Sequence, residues 1–164
     1  MKLKIMKTIP AVLVAAGLAI LLPGPAWAAG GPLPASGTLQ ITSENVVSTR
    51  VADGNTIRVV TLGGFSTGTF AGPFTETDRE VIHADGSVTL QGKGVQSGTL
   101  GTCGTGSVAY VTEAHGDVFT LSGRFQLIDQ AASTSTPLKI HSVVSFTVDN
   151  ATGLAPYTGT YHCT

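Results

Sequence analysis

From Ser36 to the C-terminus, no window of this chain repeats its apolar residues at the helical interval; wherever a pattern is visible, its period is two. The clearest stretch is Leu138 to Val148. Leu138, Ile140, Val144, Phe146 and Val148 share one parity there, and Lys139, His141, Ser145 and Thr147 the other. A period of two sends alternate side chains to opposite faces of a strand, so one face of this segment is set for burial. Such a chain folds as sheet, and its strands must be paired or leave edges that invite aggregation.

Turn chemistry divides the text into eight strands. They run from Thr38 to Val47, Thr56 to Leu62, Pro73 to His83, Ser87 to Leu100, Ser107 to His115, Val118 to Ile128, Leu138 to Val148 and Tyr157 to Cys163. Phe65 to Ala71 continues the second strand past a bend at Gly63-Gly64. Ala52-Asp53-Gly54-Asn55, Ala84-Asp85-Gly86 and Gly116-Asp117 supply turns, the second with the Asp-Gly signature of a tight hairpin. Phe119, Leu121, Phe125 and Leu127 fall on one face of the sixth strand. The fold class is all-β and antiparallel. An eight-stranded barrel is favoured over a β-sandwich, because closure removes edges and the mid-strand glycines Gly92, Gly94 and Gly98 suit a tightly coiled sheet.

The N-terminus has a different character. Lys2, Lys4 and Lys7 precede an apolar run from Ile9 to Leu22, and Ala26-Trp27-Ala28 has the small-x-small form of a signal-peptidase site. Residues 1–28 therefore read as a signal peptide cleaved after Ala28, residues 29–35 as a flexible lead-in, and residues 36–164 as one barrel domain. The expected destination is exported, secreted or in the cell envelope, with no stable membrane anchor after cleavage. Without Lys2, Lys4 and Lys7, six basic residues face ten acidic ones, a net charge of −4 that argues against nucleic acid as a partner. Cys103 and Cys163 are the only cysteines. In an oxidising compartment they are expected to form a structural disulfide that pins the last strand.

Several of these features occur together in one order. They are the Ser36-Gly37-Thr38 opening, the Ala84-Asp85-Gly86-Ser87 hairpin, and Gly104-Thr105-Gly106-Ser107 before a strand bearing Glu113 and His115. The closing stretch holds Thr152-Gly153-Leu154-Ala155 and Tyr157-Thr158-Gly159-Thr160-Tyr161. In this the chain resembles a family of small bacterial domains of unknown function within the allene-oxide-cyclase-like barrel superfamily. The resemblance implies an eight-stranded antiparallel barrel with an apolar interior. The superfamily includes plant cyclases and dirigent proteins, which guide small apolar intermediates inside the barrel. None of their functional residues matches this sequence position by position, so no catalytic role carries over. The export signal, the cysteine pair and the lack of tryptophan after residue 28 depart from the family pattern.

Glu113 and His115 lie two apart in a strand, about 7 Å along it on one face, with Tyr110 on the opposite parity. On an inner face Glu113 would be a candidate general base with His115 as its acid or orienting partner; on an outer face both are solvated residues near a turn. His83, His115, His141 and His162 lack metal-ligand spacing, so no metal site is expected. Glu76, Asp78 and Glu80 alternate on one face, with Thr75, Thr77 and Arg79 opposite. They read as an exposed acidic ladder paired with Arg79 or Arg58, calcium being the alternative. No G-x-S-x-G is present, and Tyr110, Tyr157 and Tyr161 are the few aromatics available as carbohydrate platforms beside six phenylalanines. No cofactor is implied. The leading function is a non-enzymatic exported barrel that takes a small apolar ligand. The alternatives are an isomerase or cyclase built on a buried Glu113, and a protein-interaction module.

Overall fold

The computed structural model describes residues 31–128 and 136–164. The segment expected to be a signal peptide, with its expected cleavage after Ala28, and most of the polar loop that begins at Asp129 lie outside the described residues. The strands are β1 (Leu33–Ala52), β2 (Asn55–Gly68), β3 (Phe70–Ile82), β4 (Ser87–Leu100), β5 (Thr105–Asp117), β6 (Thr120–Ile128), β7 (Ile140–Asp149) and β8 (Leu154–Cys163). Each pairs antiparallel with the next, and β8 returns to β1, so the sheet closes into a barrel. Closure excludes the sandwich alternative.

Several boundaries differ from expectation, and three of the differences have a clear local cause. β1 starts at Leu33, because Leu33, Pro34 and Ala35, expected in the lead-in, pair with Tyr161, Thr160 and Gly159. The stretch from Phe65 to Ala71 is split by a tight turn at Thr69, with Gly68 at φ 89°, so Phe70 already belongs to β3. The turn expected at Gly116-Asp117 falls two residues later. The Asp117 carboxylate accepts from Phe119 N at 2.8 Å and Thr120 N at 2.9 Å, which leaves Phe119 74% exposed rather than on the inner face.

The two ends of the barrel differ. At the end where β1 starts and β8 finishes, aromatic rings fill the interior. Phe70 stacks on Tyr157 at 5.7 Å and meets Tyr161 and Phe125 edge-on. The Tyr157 hydroxyl accepts from Phe70 N and donates to Thr67 O, both at 2.9 Å, so its polar tip is satisfied within the core. Cys103 in the β4–β5 turn is bonded to Cys163 at the end of β8, with 5.3 Å between Cα atoms. Glycines of the strands and of the β4–β5 turn have a more specific role than easing curvature. A Cβ at Gly37, Gly94 or Gly101 would collide with the ring of Tyr157, Tyr110 or Tyr161, so each leaves space for an aromatic side chain.

Candidate functional site

The opposite end of the barrel is hollow. A cavity of about 250 Å³ starts at a floor formed by Phe74, Tyr110 and Phe125, and it reaches the turns bearing Val118 and Gly153. Its walls differ in chemistry. β6, β7, β8 and β1 contribute Leu121, Phe146, Val148, Ala155, Leu39 and Ile41. β2 to β5 contribute Arg58, Glu80, Asp78, Glu76, Thr112 and Gln96 beside apolar residues such as Leu62, Ile82 and Leu90.

This polar wall overturns the expectation for the acidic ladder. Glu76, Asp78 and Glu80 point into the barrel, and Asp78 is only 1% exposed. Thr75, Thr77 and Arg79 take the outer parity. Polar residues on both parities of β3 weaken its hydrophobic alternation, and packing of the neighbours settles the face. Phe70, Phe74 and Ile82 share the parity of the ladder, and Phe70 and Phe74 belong to the core. That shared parity was the available signal for an inward ladder.

A chain of polar contacts runs along this wall. The β1 register shifts between Ile41 and Ser43, which brings Glu44 into the cavity lining beyond a bulge. Arg58 pairs with Glu44 and, through Nε, with Glu80 at 3.5 Å. Burial raises the Glu80 carboxyl and Arg58 partly opposes that rise. Deeper in, the Tyr110 hydroxyl donates to Glu76 Oε2 at 3.0 Å. Burial, then the negative charge of Glu76, pushes Asp78 up to about 9, so it carries a proton at neutral pH. The same two influences raise the Tyr110 hydroxyl, which stays a donor.

Among the described residues, neither Asp78 oxygen, nor Glu76 Oε1, nor Thr112 Oγ1 receives a protein hydrogen bond. Two carboxylates offer only acceptors to each other, so Asp78 and Glu76 can bond once one proton lies between them. Gly92, directly across from Asp78 on β4, makes room for the pair: a Cβ there would collide with both carboxylates. The cavity therefore holds a neutral acid, an adjoining carboxylate and a hydroxyl donor against an apolar wall.

Glu113 and His115 do not take part. Both are exposed on the outer face, and Glu113 pairs with Arg124 at 3.3 Å with its side chain 62% exposed. The general-base candidacy of Glu113 fails, because its parity is opposite to that of the inward Tyr110, Thr112 and Ala114. His83 meets Thr89 Oγ1 at 3.2 Å, and His141 stacks on His162 across β7 and β8 at 5.4 Å. Among the described residues, no three His, Cys, Asp or Glu side chains gather to hold a metal ion. The three tyrosines are buried, so none forms an exposed carbohydrate platform. No protein-family model matches this chain, and no curated protein matches it in sequence.

Proposed function

We propose that this protein is an exported barrel that binds a small, mainly apolar molecule in its open end. The observation that carries this reading is the 250 Å³ cavity, with an aromatic floor at one end and turns at the other. Its volume lies just below the usual range for small-molecule pockets, ~300–1,000 Å³, so the ligand is small. Leu, Val, Ile and Phe side chains supply the apolar contact area. The polar groups, concentrated on the wall of β2 to β5 with Glu44 of β1 at its edge, give orientation.

Titration with 1-octanol by calorimetry tests this. Saturable binding at one site per chain is expected, and Ala155→Leu, which extends a buried cavity residue into the space, should abolish it while the melting transition persists. Binding that ignores this substitution would place the ligand elsewhere and overturn the reading.

Export rests on two supports. The Lys2, Lys4, Lys7 head with its apolar run has the form of a signal peptide, and the Cys103–Cys163 bond suits an oxidising compartment. No helix among the described residues is long and apolar enough to cross a membrane. Mass spectrometry of the native product should find Ala29 as its first residue and a loss of two hydrogens at the cysteine pair. A chain that keeps Met1 to Ala28 would contradict processing. The resemblance to allene-oxide-cyclase-like barrels is retained as part of this proposal, and the closed eight-stranded architecture is consistent with it.

A second reading, an isomerase or cyclase acting on an apolar substrate inside the barrel, is favoured by one observation. The cavity holds a buried carboxyl group of the kind that could move a proton, but it is Asp78 beside Glu76 rather than Glu113.

A further inference from the structure

The unpartnered groups of the cavity are specific about what would complete them. Glu76 Oε1, the Asp78 carboxyl and Thr112 Oγ1 have no protein donor; Asp78 holds one proton against Glu76, and the remaining carboxyl lone pairs and Thr112 Oγ1 can accept. Asp78 and Thr112 are 1% and 6% exposed and line the cavity, so bulk water has little access to them. An unmatched polar group in such a place costs about 1–3 kcal/mol, which a ligand bringing hydrogen-bond donors would recover. The charges point the same way. Glu44, Glu76, Asp78 and Glu80 face the space, Tyr110 approaches Glu76 from β5, and Asp117 lies in the lining as well. Among the described residues that line the space, the single cation, Arg58, is already engaged by Glu44 and Glu80.

Resting on the ligand-binding reading, we propose that the cavity takes a small apolar primary amine, its ammonium seated between Asp78 and Glu76 and its hydrocarbon body against the wall of β6 to β1. An ammonium brings three donors and one positive charge to a place that offers acceptors and negative charge. An anionic ligand would meet the carboxylates with no free cation. A calcium ion takes six to eight oxygen ligands, and among the described residues no three acidic, His or Cys side chains converge to begin such a set. On amine binding the proton held by Asp78 leaves for the buffer and the new ion pair forms in its place, so charge is conserved at the site.

Calorimetry of the purified chain with octylamine, 1-octanol and octanoate, near pH 7, tests the proposal. Octylamine is expected to bind about tenfold or more tightly than octanol, the equivalent of ~1.4 kcal/mol, with octanoate weakest. Heats measured in buffers of different ionisation enthalpy should reveal release of about one proton per amine bound. Asp78→Asn should remove both the preference and the proton release, while octanol still binds. The wild-type proton count stands even if that variant misfolds. Equal affinity for octanol and octylamine, or amine binding without proton release, overturns the amine proposal and leaves the apolar-ligand reading intact. Displacement of octylamine by calcium chloride at a matched ionic strength also overturns it, in favour of a metal site. If neither octanol nor octylamine binds, the ligand-binding reading itself falls.

Discussion

Replacing Cys103 and Cys163 together by serine is expected to lower stability by about 4 kcal/mol, and Tm by on the order of 10–20 °C. The bond spans a sequence separation of 60, and a cross-link of that span removes much of the freedom of the unfolded chain. It also sits where the folded chain has most to lose. Cys163 pairs with Ile140 at the end of β8, next to Tyr161, whose hydroxyl accepts from Thr102 N at 3.2 Å in the β4–β5 turn. Release of that corner would let β8 fray from both β7 and β1 and open the aromatic end of the barrel. Thermal denaturation of the wild type with and without reductant, beside the double variant, measures the effect. A shift of only a few degrees would mean that ring packing around Phe70 holds β8 without the bond. The cavity lies toward the other end, so octanol affinity in the folded variant should change little.

Asp78→Asn is expected to make the protein more stable at alkaline pH, by about 1–3 kcal/mol, and to flatten its pH dependence. The sign follows from proton linkage. Asp78 is held above its ordinary 3.8, so the folded chain keeps a proton that the unfolded chain gives up. Its stabilising contribution is complete below about pH 4 and is lost as pH rises toward 9, with a slope of up to ~1.4 kcal/mol per pH unit. The Glu80 carboxyl, also raised, adds a shift of the same sign. Asp85 and Asp117, lowered by their turn hydrogen bonds, act oppositely and only on the acid side. Asparagine needs no proton to donate to Glu76, so the variant escapes the loss. Denaturant melts at pH 5 and pH 8.5 compare the two proteins. A variant that is less stable at pH 8.5, or that keeps the wild-type slope, would show that Asp78 is ionised in the fold. A wild-type residue less stable than its neutral isostere, on the wall of a cavity, is what a ligand site requires of a scaffold that must keep a polar group unsatisfied until the ligand arrives.

Much of the architecture is legible in the residues. The β4 span from Ser87 to Leu100 matches expectation at both ends, since the Asp85-Gly86 hairpin and the Gly101 turn mark them. The parity of β7 is equally plain, because Ile140, Val144, Phe146 and Val148 share one face, which only Ser142 interrupts. Thr69 and Phe119 were misplaced for a local reason. Gly63-Gly64 looks more like a break than Gly68 does, and the Asp117 side chain moves the next turn by capping two amides that sequence does not reveal.

The candidate site was legible in its parts and not in its place. The sequence by itself determines an antiparallel all-β chain, the alternation of Glu76, Asp78 and Glu80 along one strand, and the two cysteines available to join. Only the tertiary structure decides that the acidic face of β3 turns inward and that Glu113 turns out. It also decides that Gly92 and Tyr110, distant in the chain from Asp78, complete the site. The physical reason is that period two fixes which side chains lie together but not which side of the sheet is inside. That choice is made by closure, when the rings of Phe70, Phe74 and Tyr110 take the interior and carry with them every residue of the same parity.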